Sequence, residues 1–278
     1  MAQNSIKRKT KQKLEEKQPY CIVCLEAKEA KSIEHIVSES FGNKTYLLEK
    51  GALCDECNNL FSKFEETALS RTVLAMERAR LGMASKKGKT AKGTFGKLKV
   101  EGNDEFKKNF ITAYGLKNED IVDFNPETGE FKLHIPSFEK SAVATGKLLL
   151  KTGIESIYQS RRTIYNECDF TDLREHLLGI NNTDWPFITT SLELDHFSWV
   201  PFGRELPPLI KKQIRLWYSN TSDGILFKFK YGAIPMIINL TNRDLEWVAD
   251  YTYEQNDKRV SIYPEHFRKK VDKLLSDD

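Results

Sequence analysis

Cys21-Ile22-Val23-Cys24, then Glu34-His35-Ile36-Val37, then Cys54-Asp55-Glu56-Cys57-Asn58-Asn59 follow one another in a single short span. Two Cys-x-x-Cys pairs about thirty residues apart can bring four thiolates onto one tetrahedral ion. Cys21, Cys24, Cys54 and Cys57 are therefore expected to hold zinc. A closed all-cysteine set leaves no position for water, so this zinc is expected to be structural. A unit this small has little core, and the metal would contribute a large share of its folding energy. The fifth cysteine, Cys168, has no partner signature and reads as a partly buried structural thiol.

Outward from the cysteines, Tyr20 to Val23 suits a short strand, and Ser32 to Val37, with β-branched Ile and Val, a second one. Phe41-Gly42-Asn43-Lys44 reads as a turn. Residues 58–82 read as one helix, with Leu69, Val73 and Met76 at i, i+4 and i+7 and Gly82 as its stop. Together these elements predict a compact ββα unit over residues 20–83.

On a strand, neighbouring side chains point to opposite faces, so Glu34 and His35 share one task only where the strand end bends. Glu34 is a hard oxygen donor suited to Mg²⁺ or Mn²⁺. Histidine titrates near neutrality and is a natural general base for water, the role expected of His35. Asn58 directly follows the last cysteine at the helix start, where a zinc clamp would fix its carbonyl oxygen as a second, neutral ligand. One carboxylate and one amide leave several ion positions for water and phosphate oxygens, which suits phosphodiester hydrolysis.

The spacing Cys21-x-x-Cys24, Glu34-His35-Ile36-Val37 with Gly42, and Cys54-x-x-Cys57-Asn58 resembles the HNH endonuclease family, in its zinc-stapled ββα-metal form. The resemblance covers roughly residues 18–83. It implies a catalytic divalent ion, Mg²⁺ or Mn²⁺, on Glu34 and Asn58, with His35 as general base. It also implies DNA as substrate. The chain departs from the family pattern in three places. Ser38 stands where Pro is frequent, Gly42-Asn43 where Gly-Gly is frequent, and Glu49 where an Asn usually orients the histidine. Asn43 is the nearest substitute for that Asn, and Asn59 competes with Asn58 for the ligand role.

The fold class expected is α+β: an N-terminal zinc-stapled ββα-metal nuclease domain and a mixed α+β C-terminal domain with a β-rich second half. Residues 1–19 read as a basic flexible arm, 20–83 as the HNH domain and 84–99 as a basic linker. Residues 100–278 read as an α+β domain of unassigned role. Within it, 121–124 and 131–135 suggest a hairpin, and Ser137 the cap of a helix reaching about Gln159. A short helix is expected at 170–178, a second hairpin at 225–240 and a last helix near 264–275. Trp199, Trp217 and Trp247 are expected to build an aromatic core.

The net charge of +3 is unevenly spread. Residues 1–100 carry 20 Lys and Arg against 12 Asp and Glu, a local excess of +8, and the remainder is acidic. Lys86, Lys87, Lys89 and Lys92 lie in a lysine- and glycine-rich stretch without acids, suited to phosphate contact. Neither a secretory signal nor an apolar run of membrane-spanning length is present, so a cytoplasmic protein without membrane contact is expected. His134, His176, His196 and His266 lack metal spacing and read as structural. Two alternatives stay open: a zinc-stapled nucleic-acid-binding module without cleavage, and an HNH nuclease acting on RNA. The resemblance further implies an anti-phage or restriction setting, with a partner ATPase or other defence-system protein controlling cutting. A homo-oligomer would ease the cutting of both strands.

Overall fold

Cys54 caps the first helix, α1 (Asp55–Arg71): its Sγ accepts from the Cys57 N–H, and Asp55 and Glu56 place negative charge at the helix N-terminus. The computed structural model that defines this fold describes residues 20–85, 87–95, 97–133, 137–190, 197–203, 213–248 and 260–274. The single helix expected over residues 58–82 is two. Thr72 is extended (φ −130°, ψ 175°) and separates α1 from α2 (Val73–Arg80). Its hydroxyl donates to the Ala68 carbonyl at 2.6 Å and accepts from the Leu74 N–H at 3.1 Å, so one side chain ends one helix and caps the next. Val73 N–H turns outward to the Ser137 carbonyl, 2.8 Å away.

The two strands expected near the cysteines are reduced to a single bridge, His35 opposite Leu47, and residues 21–24 form a turn. Asn43 is the cause. Buried at 4% exposure, it donates to the carbonyls of Val37 (2.6 Å) and Tyr46 (3.0 Å) and accepts the N–H groups of Thr45 and Tyr46. That closes residues 37–46 as a loop where ladder bonds would otherwise run.

The stretch read as a basic linker is built into a sheet. β1 (Lys92–Phe95), β2 (Leu98–Gly102) and β3 (Ile111–Tyr114) pair antiparallel, and Leu98 and Val100 bury against Ala75 of α2. Gly93 permits this approach, because a Cβ there would lie 2.1 Å from the Ala75 Cβ. The expected hairpin at 121–133 is present as β4 (Ile121–Phe124) and β5 (Phe131–Leu133).

Helix α3 (Ala142–Ser160) starts after a 3₁₀ turn, Glu139–Ser141, and not at Ser137. It is buried on nearly all sides, as its apolar run demands. α4 (Arg162–Glu167) and α5 (Thr171–Leu178) follow. A six-stranded antiparallel sheet then forms, in the order β11-β6-β10-β9-β8-β7. Its strands are β6 (Phe187–Thr190), β7 (Val200–Pro201), β8 (Ile214–Thr221), β9 (Gly224–Tyr231), β10 (Ile234–Asn239) and β11 (Val260–Tyr263). Period-two alternation splits its side chains. Phe227, Phe229, Tyr231, Met236 and Ile238 join the core around α3, while Leu226, Ile237 and Ile188 face Trp247 and the Phe267 and Val271 of α6 (His266–Leu274). Trp247 is core as expected; Trp199 and Trp217 are half-buried and flank the Lys228 ammonium, at 5.2 and 5.3 Å.

One hydrophobic cluster runs from Cys21, Phe41 and Phe61 through α3 to Phe229 and Tyr263. Phe41 joins the two parts, with its ring 4.4 Å from Tyr231 and 5.5 Å from Phe229. Among the described residues no helix is long and apolar enough to cross a membrane. Phe41→Ala is expected to cost about 3–5 kcal/mol, as the loss of a large buried ring does. The check is the shift of the urea unfolding midpoint, read both by tryptophan fluorescence and by zinc release; a sheet that keeps its midpoint would contradict a shared core.

Candidate active site and metal centre

The four knuckle sulfurs all lie within 4.8 Å of one another, and Cys24 Sγ is 3.8 Å from Cys54 Sγ. Zn–S bonds of about 2.3 Å in a tetrahedron place sulfurs about 3.8 Å apart, so the donor set fits zinc. The backbone prepares the site: Val23 N–H points to Cys21 Sγ and Cys57 N–H to Cys54 Sγ, both at 3.5 Å. Crowding shows in the thiol acidities. A hydrogen bond from Cys57 holds Cys21 down at about 4, while burial pushes Cys24 up to about 11. Four thiolates this close need a cation among them.

Around the clamp, Asp55 accepts the N–H groups of Lys31 (3.2 Å) and Ser32 (3.1 Å) and the Ser32 hydroxyl, tying the loop before Glu34 to the start of α1. These bonds, the Ser32 hydroxyl first, hold the Asp55 carboxyl below its usual range. The C-terminal part also grips the first knuckle. Arg174 Nε (3.0 Å) and the Tyr165 hydroxyl (3.2 Å) both donate to the Ile22 carbonyl.

Glu34 and His35 point in opposite directions, as strand neighbours do. His35 faces the open side, with Nε2 3.3 Å from Glu39 Oε1 and Nδ1 buried without a hydrogen-bond partner. Glu34 turns inward. Its Oε1 accepts from Lys151 of α3, which also donates to the His35 carbonyl at 3.1 Å and to Glu65 of α1 at 2.9 Å. Burial alone would lower the Lys151 pKa, but Glu155, Glu65 and Glu34 outweigh it and keep the ammonium charged. Burial raises the Glu155 carboxyl well above its usual range.

Asn58 is half-buried in the first turn of α1, and no hydrogen bond engages its amide among the described residues. Asn59 is exposed. No hydrogen bond joins Asn58 to Glu34. Glu65, which shares Lys151 with Glu34, lies seven residues on, on the same face of α1 about two turns away. The donor set of Glu34 Oε2 and the Asn58 carbonyl oxygen is of the oxygen type that Mg²⁺ and Mn²⁺ take. Glu49, at the place of the orienting Asn, is turned away. It accepts from the Tyr158 hydroxyl and from Arg162, both at 3.0 Å. Asn43, the proposed substitute, is committed to loop closure.

Of the four lysines, Lys87 and Lys89 are exposed, and Lys92 is ion-paired with Glu101 across β1 and β2. Lys86 lies outside the described residues, as do His134 and His196. His176 is structural, with Nδ1 3.1 Å from the Asn181 carbonyl. A cleft of about 760 Å³ beside the end of α1 is lined by Arg71, Lys92, Lys99 and Lys140 with Ser70 and Thr94.

Glu39, Glu65, Lys151 and Glu155 were not legible as site residues. A faint signal existed for two of them. Glu39 follows His35 at the spacing of one helical turn, and Lys151 interrupts Leu148-Leu149-Leu150-Lys151-Thr152-Gly153-Ile154, where a charge is out of place.

A four-cysteine clamp joining a Glu-His loop to a helix N-terminus is a metal-stapled unit of the kind nucleases use. Residues 21–74 match the family model described as HNH endonuclease. No curated protein and no solved structure matches the chain. Cys54→Ser is expected to release about one zinc per chain and to lower the unfolding midpoint. Metal analysis decides; full zinc content in the variant would contradict the four-cysteine site.

Proposed function

We propose that residues 21–74 form a metal-dependent endonuclease that hydrolyses DNA phosphodiester bonds. The observation that carries this reading is the placement of an open-sided His35 and an unengaged Asn58 amide on one clamped unit of the matching family. Glu34 Oε2 and Asn58 would hold one Mg²⁺ or Mn²⁺. When bound, such an ion stabilises the charge that develops on the phosphate and the leaving oxygen.

His35 takes the proton of the attacking water at Nε2, the nitrogen on its open side. Glu39, 3.3 Å away, stabilises the imidazolium that forms. The zinc clamp keeps Asn58 fixed relative to the Glu34–His35 loop, so the reacting groups need no rearrangement between them. Lys87 and Lys89 on the exposed loop, and Arg71, Lys99 and Lys140 around the cleft at the end of α1, would supply positive charge for contact with the phosphate backbone.

One observation favours a second reading, a nucleic-acid-binding module without cleavage. The position of the histidine-orienting Asn is Glu49, and it is bound to Tyr158 and Arg162. A cleavage assay on plasmid DNA and on RNA, with Mg²⁺ or Mn²⁺, separates the readings. The expected result is DNA cleavage by the wild-type chain and a loss of about 100-fold or more in His35→Ala. Binding without cleavage under either metal would support the second reading. In salt titrations, Lys87→Ala/Lys89→Ala is expected to lower the slope of log K against log salt by about two, since each lost phosphate contact removes about 0.9. An unchanged slope would take the loop out of the binding path.

A further inference from the structure

Lys151 follows three leucines in the middle of α3, and its side chain is 1% exposed. An ammonium has three N–H bonds. All three are used, on Glu34 Oε1, the His35 carbonyl and Glu65 Oε1. Both residues of the Glu-His pair are thus held by one side chain from outside residues 21–74. Glu34 keeps 11% of its side chain exposed, and its Oε2 makes no hydrogen bond among the described residues. On the inner side, Glu155 is fully buried 3.4 Å from the ammonium, with neither oxygen hydrogen-bonded. The ammonium therefore fills a space that three carboxylates face.

We propose that Lys151 is a positioning residue of the nuclease centre. It holds Glu34 Oε1 and the His35 backbone against α1, and leaves Glu34 Oε2 as the outward oxygen. It also keeps divalent ions out of the inner space between Glu34, Glu65 and Glu155. The proposal rests on the assignment of Glu34 as an ion ligand made above. Without the ammonium, the Glu34 and Glu65 carboxylates, with the Glu155 carboxyl beside them, face one space that attracts a divalent ion strongly. An ion drawn inward leaves the edge where His35 and the substrate phosphate meet, and a displacement of that size is costly to catalysis. Ion affinity and activity then move in opposite directions, which general damage to the fold does not produce.

Lys151→Met keeps an unbranched side chain, one atom shorter, and removes the charge. In the full chain with zinc bound, Mn²⁺ binding followed by electron paramagnetic resonance is expected to tighten about tenfold. Plasmid cleavage supported by Mn²⁺ is expected to fall on the order of 100-fold. Wild-type binding together with wild-type cleavage overturns the proposal. So does weakened binding in a variant that keeps its zinc and helix content. Should the variant not fold, the wild-type chain decides: the slowly exchanging ammonium resonance of Lys151 shifts as Mg²⁺ is added, and a resonance indifferent to saturating Mg²⁺ overturns the proposal. A wild-type chain that binds no Mn²⁺ refutes the Glu34–Asn58 ion assignment and this inference with it. One that binds Mn²⁺ but cuts neither DNA nor RNA refutes the nuclease reading alone, and Lys151 is then judged on the binding shift.

Discussion

Taking an ammonium out of water costs several kcal/mol, and the cost is offset only where its N–H groups all find acceptors and an opposite charge stands close. Lys151 meets both conditions through Glu34, the His35 carbonyl and Glu65. Those acceptors come from a loop and a helix far from α3 in sequence, so the arrangement exists only when loop, α1 and α3 are docked together. On its other side α3 lies tight on the six-stranded sheet. A Cβ at Gly153 would stand 2.5 Å from Leu240, so glycine permits the approach. One helix therefore connects the Glu-His loop to the sheet, and its only well-buried lysine among the described residues faces that loop.

Two kinds of force hold the N-terminal unit. Zinc can close Cys21, Cys24, Cys54 and Cys57 around one point, setting the Glu34–His35 loop against the first turn of α1. Hydrophobic burial does the rest, through Phe41 and Phe61 in a cluster continuous with Phe229 and Tyr231. A zinc ion there would be local and would set geometry over a few ångströms. The shared core fixes the unit against the rest of the chain, and Arg174 and Tyr165 reinforce this at the Ile22 carbonyl.

Glu34 and His35, at the isolated bridge to Leu47, have different surroundings. Glu34 faces inward to a charged, dry cluster; His35 faces outward to Glu39 and solvent. Asn43 closes residues 37–46 as a loop, and Glu49, just beyond it, binds α3 and α4 through Tyr158 and Arg162. Of the residues that depart from the family pattern, Glu49 is thus one that docks the unit onto the C-terminal part, while Asn43 closes the unit's own loop.

Local spacing was enough for the four-cysteine cluster, the hairpins β4–β5 and β9–β10, and helices α5 and α6. Each depends on residues close in sequence, whose side-chain geometry follows from the period of a strand or a turn of helix. The break at Thr72 and the loop at 37–46 were not legible, because a hydroxyl and an amide competing for backbone groups decide them and no periodicity records that competition. Nor was the basic stretch at 84–99 legible as a sheet edge, since Gly93 and Ala75 meet only once α1 and α2 are placed. The partners of Lys151 were furthest from view. A charge within an apolar helix announces that something must neutralise it, but which carboxylates do so depends on how α3 packs against α1 and the loop. Only the tertiary structure decided that.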